Sequence, residues 1–155
     1  MRLSTKGRYA VMALVDLANM GADRPVALAD IARRQEISLS YLEQLFAKLR
    51  KGGAVRSVRG PGGGYMLARP ADQLRISDIV VAVDEPIRAT RCTPTSPEGC
   101  MNNKTRCITH HLWEGLSLQI FEYLSSVTVA DVLSGNIAGM DNSPEALEER
   151  RAAAE

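Results

Sequence analysis

Five residues, Gly60-Pro61-Gly62-Gly63-Gly64, constrain the first half of this chain more than any others. Four glycines and a proline in succession cannot fill the interior of a strand or helix, so the backbone must turn there. On either side stand runs of strand character, Ala54-Val55-Arg56-Ser57-Val58-Arg59 and Tyr65-Met66-Leu67-Ala68. Together these segments predict a β-hairpin with a glycine-rich tip.

Three helices are expected ahead of it. Within residues 8–20, Ala10, Ala13, Leu14, Leu17 and Ala18 recur at helical spacing, and Gly21 to Pro25 end the pattern. A short helix fits Leu28–Gln35. After a break near Glu36-Ile37, a third runs from Leu39 to Lys51 with Leu42, Leu45, Phe46 and Leu49 inward, until Gly52-Gly53 stop it. Three helices and a hairpin make a winged helix-turn-helix, so the fold class is mostly α with one small β-hairpin. Further on, Ser77 is expected to cap a helix reaching Glu85. A longer helix spans about Thr109 to Ser126. Trp113, Leu116, Ile120, Tyr123 and Val127 follow the 3-4-3-4 spacing of a seam that meets a partner helix. Thr128-x-x-Asp131 reads as a capping box that opens a last short helix ending near Gly135. The expected organisation is 1–85 as winged helix with a supporting helix, 86–108 as a loop, 109–136 as dimerisation helices and 137–155 as a flexible tail.

A net charge of +1 conceals two opposite halves. Residues 1–69 hold 12 Lys and Arg against 5 Asp and Glu, a net of +7; residues 70–155 hold 7 against 13, a net of −6. Only the first half is suited to approach a polyanion such as double-stranded DNA. In a helix-turn-helix the second helix enters the major groove by its N-terminal residues. Here these are Ser40, Glu43 and Gln44: Gln can pair bidentately with adenine and Glu can accept from the cytosine amino group. Glu43 has a second reading, since Ser40-x-x-Glu43 also fits a capping box. Tyr41 and Lys48 suit backbone contacts, as do Arg2 and Lys6, with Arg8 nearby. Arg56 and Arg59 flank the hairpin tip, where an arginine suits a narrow minor groove. The glycines do not form a nucleotide cradle, because no helix and no Gly-Lys-Ser/Thr ending follows them.

All three cysteines of the chain fall in one short segment rich in Thr, Pro, Ser, Gly and Asn, as Cys92-x7-Cys100-x6-Cys107-x2-His110. Four soft donors so placed can hold zinc or an iron–sulfur cluster, or remain ordinary thiols. Arg91, Lys104 and Arg106 stand beside them and favour thiolate. His111, next to His110, is the competing imidazole. A Cys–His pair without an orienting third group gives no basis for an enzyme. The polar, basic N-terminus and the lack of a long apolar run predict no signal peptide and no spanning segment. A cytoplasmic protein with reduced thiols is expected, away from membranes.

The runs RLSTKGRYAVMALVDLA, ISLSYLEQLFAKLRKGGAVRSVRGPGGGYMLA and ATRC…C…C-x2-H-x2-W resemble the iron–sulfur cluster regulators of the Rrf-type winged-helix repressor family, from Met1 to about Asn136. That resemblance implies a homodimer with crossing C-terminal helices. It implies a 2Fe-2S cluster on Cys92, Cys100, Cys107 and His110, supplied by the cluster assembly machinery, and repression of cluster assembly genes. Ser40, Glu43, Gln44 and Arg59 match the family's DNA readers. The gaps between the cysteines are slightly longer than in well-known members. One rival on this scaffold is a nitric-oxide or redox sensor with a 4Fe–4S cluster and an N-terminal acidic ligand, where this chain has Arg8. The other is a zinc-stabilised winged helix that senses nothing.

Overall fold

The computed structural model describes residues 4–21, 23–90, 92, 99–137 and 139–140, with a few isolated positions beyond. The expectations for Arg2 and Arg91, and most of that for the tail, lie outside the described residues. The chain order is α1 (Thr5–Asn19), α2 (Leu28–Gln35), α3 (Leu39–Lys51), β1 (Val55–Val58), β2 (Gly64–Leu67), α4 (Ile76–Ala82), α5 (His110–Ser126) and α6 (Val129–Ser134). A single 3-10 turn at Ala71–Gln73 sits between β2 and α4.

The first three helices follow their apolar stripes, and their ends follow local chemistry. Ser4 caps α1 by accepting from the Lys6 amide, so the helix starts ahead of its apolar pattern. Glu36, in the left-handed region at φ 54°, ends α2. At α3 the cap is Ser38, whose hydroxyl accepts from the Tyr41 amide at 3.3 Å. Ser40 is therefore inside the helix, and the Ser40–Glu43 capping box does not form. Glu43 is left exposed and free of that duty.

Ala10, Ala13 and Leu14 of α1, Ile31 of α2, and Leu42, Leu45, Phe46 and Leu49 of α3 bury almost completely. Phe46 meets the Tyr65 ring edge-on at 4.9 Å, fastening α3 to β2. Asp16 is buried on α1, where it accepts from Arg34 Nη2 at 2.6 Å and Gln35 Nε2 at 2.8 Å. That cluster locks α2 against α1. The hairpin pairs Val55 with Leu67 and Val58 with Gly64. A short bridge, with Val26 and Tyr65 exchanging both amide hydrogen bonds, ties β2 to the α1–α2 connection. Gly64 is needed there, since a Cβ at this position would collide with the Val26 carbonyl.

Two expectations change in the second half. Ile76, not Ser77, opens α4, because the Ile76 amide is taken by the Val127 carbonyl at 2.9 Å; Ser77 is buried within the helix, which ends at Ala82. The long helix α5 also departs from the simple seam. Val127 is buried against its own chain, whereas Trp113, Leu116 and Ile120 are half-buried and Tyr123 is exposed. Leu112, Leu118 and Phe121 join Tyr123 on the exposed surface. The Thr128–Asp131 capping box forms as expected and starts α6.

Candidate functional site

The N-terminus of α5 and the irregular segment before it assemble the cysteines and histidines. Trp113 Nε1 donates to Thr109 Oγ1 at 3.1 Å across the first turn of α5. Ser117, buried on the same helix, accepts from the Ala89 amide at 3.0 Å and so anchors the start of the loop. At the other end Gly99 donates to the Lys104 carbonyl, and Met101 donates to that of Thr105. Gly99 packs so tightly that a Cβ would strike the Thr105 carbonyl.

These constraints bring the donors into two close pairs. Cys92 Sγ and Cys107 Sγ are 3.9 Å apart. Cys100 Sγ and His110 Nδ1 are 3.6 Å apart. Cys92, Cys100 and His110 also converge as a trio, with one ligand atom from each within 4.8 Å of the others. The Cys107 amide donates to Cys100 Sγ at 3.1 Å, linking the two pairs. His110 is nearly buried, and its Nε2 has no hydrogen-bond partner. Buried polar atoms are rarely left unpaired.

Thiol chemistry differs across the pocket. Burial pushes the Cys92 thiol up, with the Thr90 hydroxyl opposing it. Hydrogen bonds from Cys100 and Thr109 hold Cys107 below the usual thiol range, making it the readier thiolate. Among the described residues, the leading causes of both shifts are burial and these hydrogen bonds. His111 does not share the pocket. It is largely exposed, and its Nδ1 lies 3.1 Å from Glu114 Oε2.

On the helix-turn-helix face, Ser40, Glu43 and Gln44 are exposed along the first turns of α3. Arg56 and Arg59 are exposed at the hairpin, with Gly60 and Gly62 of the tip at φ 102° and 71°. Tyr41 is half-buried, edge-on to Tyr9 at 6.1 Å, so packing accounts for much of it. Lys6 and Lys48 converge on one residue: Lys48 Nζ lies 2.7 Å from Asp84 Oδ2, and Lys6 Nζ donates to the Asp84 carbonyl at 3.0 Å. These contacts hold Asp84 below the ordinary carboxylate range, chiefly through the Lys48 hydrogen bond. Sequence reasoning missed Asp84, whose partners are remote in the chain. It also missed Glu114, although the i, i+4 spacing from His110 was a usable signal.

Residues 3–135 match the family model described as Rrf2, iron-dependent transcriptional regulator. The chain belongs to the Rrf2 family. Its homologues in that family are transcriptional regulators, not enzymes. The HTH-type transcriptional regulator IscR of Sodalis glossinidius is 53% identical over 134 residues, covering 86% of this chain and 79% of the relative. IscR of Erwinia tasmaniensis is 49% identical over 149 residues, covering 94% and 88%. Among solved structures, T. potens IscR superposes with a TM-score of 0.70 at 39% identity, covering 92% of this chain and 94% of that one. CymR, the global cysteine regulator of B. subtilis, gives 0.71 at 31% identity, covering 86% and 97%. The Rrf2 fold is thus the winged helix with appended helices described above. No helix among the described residues is long and apolar enough to cross a membrane.

Proposed function

We propose that this Rrf2-family regulator is a DNA-binding repressor that reads cluster supply through a 2Fe-2S cluster held by Cys92, Cys100, Cys107 and His110. The donor pairing is the observation that carries the proposal. Two ligands at about 2.0–2.3 Å from one tetrahedral metal ion stand roughly 3.4–3.8 Å apart. Cys100 Sγ and His110 Nδ1 at 3.6 Å, and Cys92 Sγ and Cys107 Sγ at 3.9 Å, lie close to such separations, and Cys100 also meets both other thiols, so the four donors together would hold the group. An imidazole in place of a thiolate makes such a site less negative and raises its potential relative to four cysteines. It also makes the cluster easier to lose, as a supply sensor requires.

This chain's own residues supply the response. The Ala89–Ser117 contact joins the loop to α5, and His110, the first residue of α5, would tie the filled loop to the same helix. The exposed Leu112, Leu118, Phe121 and Tyr123 of α5 would be covered by a second copy. A homodimer presents two α3 helices, which must meet half-sites about 34 Å apart. Ser40, Glu43 and Gln44 would read bases, while Arg56, Arg59, Lys48, Lys6 and Arg2 would hold the backbone or minor groove. In these terms the chain divides as winged helix 1–85, cluster loop 86–108 and dimerisation helices 109–136. The target genes are those of cluster assembly, the donor is the assembly machinery, and the compartment is the cytoplasm.

One observation favours a single zinc ion instead: the 4.8 Å convergence of Cys92, Cys100 and His110 is tight for donors divided between two metals. Anaerobic purification followed by iron, sulfide and zinc analysis separates the readings. Two irons and two sulfides per chain, lost in Cys92→Ala and His110→Ala, are expected. Colourless protein with one zinc per chain would refute the cluster.

A further inference from the structure

The cluster reading leaves open which ring nitrogen of His110 is the ligand and what holds the ring. We infer that His110 ligates through Nδ1, and that Glu114 is the positioning residue that orients the ring by accepting from Nε2–H. The inference rests on the ligand set proposed above.

Three observations carry it. Nδ1 is the nitrogen that faces the sulfurs, 3.6 Å from Cys100 Sγ. Nε2 is buried and has no hydrogen-bond partner, while the whole His110 side chain is only 4% exposed. Among the described residues, the carboxylate that faces it is Glu114, one helical turn on, with Oε2 at 4.0 Å from Nε2 and a side chain 20% exposed. That separation is beyond hydrogen-bond reach, so the inference requires these two neighbours on one helix face to close it when the site is filled. The carboxylate is steadied from outside by His111 Nδ1 at 3.1 Å. His111, 80% exposed, is therefore an outer support of Glu114 and not a rival ligand.

A ligating imidazole typically donates its second N–H to a carboxylate, carbonyl or water, which fixes tautomer and ring orientation; losing that partner typically costs about 10–100-fold in metal affinity. With Nε2–H committed to Glu114, only Nδ1 has its lone pair free for iron. The arrangement also accounts for two adjacent histidines. One stands at the metal, the other at the surface, and the carboxylate lies between them.

The test uses full-length reconstituted protein with histidine labelled with ¹⁵N at Nδ1 or at Nε2. His110 and His111 are the only histidines in the chain, and His111→Gln leaves His110 as the one reporter. Electron–nuclear double resonance on the reduced cluster should show strong coupling to labelled Nδ1. Strong coupling to Nε2 would overturn the inference while leaving the ligand set intact. Coupling to neither would overturn the ligand set and the inference with it. Glu114→Ala should lose its cluster to a chelator about 10–100-fold faster than wild type and raise the midpoint potential. Glu114→Gln, which keeps an acceptor oxygen, should restore much of the retention, and Glu122→Ala should change neither reading. Wild-type retention and potential in a folded Glu114→Ala protein would remove Glu114 from the role. If that variant fails to fold, the nitrogen coupling and Glu114→Gln still decide.

Discussion

Gly99 shows how a residue with no functional group can govern the candidate site. Its missing Cβ lets the backbone pass against the Thr105 carbonyl, and the turn so formed presents Cys100 to His110. Gly99→Ala should force that turn apart at a cost of about 1–3 kcal/mol, confined to the loop. Expected is iron occupancy reduced several-fold after anaerobic reconstitution, with the thermal transition of the winged helix unchanged. Full occupancy in the variant would show that the loop reaches its ligating form by another route. The same residue marks what the sequence could reveal about the site. Cys92, Cys100 and Cys107 were legible as candidate donors from residue type and crowding, while the choice of His110 over His111 came from the family resemblance. The division of the donors into two pairs was not legible, because it depends on the Gly99 turn and on the Ser117 anchor. Nor were the hydrogen bonds from Cys100 and Thr109 that lower the Cys107 thiol.

At the scale of the element, legibility followed locality. α2 and α3 span the residues that their apolar stripes mark, and their ends are set within a few residues, by Glu36 after α2 and by Ser38 and Gly52 around α3. α4 differs, since a long-range hydrogen bond from the Ile76 amide to Val127 sets its start. α6 returns to the local rule. Thr128 Oγ1 accepts from the Asp131 amide at 3.1 Å, and Asp131 Oδ2 accepts from the Thr128 amide at 2.8 Å. Thr128→Ala should cost about 0.5–2 kcal/mol in urea unfolding. The Thr128 bonds, hydroxyl first, hold the Asp131 carboxyl below its ordinary range. A carboxyl lowered by folding contributes stability above the unfolded value, about pH 3.9, and loses it as pH falls through the folded value. The stability gap between wild type and Asp131→Asn should therefore be widest near neutrality and narrow below about pH 4. A gap that does not change between pH 3 and pH 7 would mean that the capping carboxylate's charge contributes nothing.

For the molecule as a whole, the division of charge becomes physical at Asp84. The acidic half reaches the basic half there, where Lys48 of α3 and Lys6 of α1 both engage a residue just past α4, in a left-handed conformation at φ 56°. Any phosphate that takes Lys48 must displace this carboxylate. The Lys48–Asp84 pair is exposed, so it adds little to stability. Its larger effect is on the polyanion, for which it is an internal competitor. Asp84→Asn keeps a residue that tolerates positive φ and removes the competing charge. The variant should bind non-specific duplex more tightly, and its plot of log K against log salt should steepen by up to about one unit as Lys48 joins the phosphate contacts. Its thermal unfolding should match that of wild type. An unchanged salt slope would place Lys48 outside the DNA contact and leave Asp84 as a strut between α3 and α4. A steeper slope would instead show that the residue leading into the Cys/His loop also restrains Lys48, so that a rearrangement of the loop has a direct route to affinity.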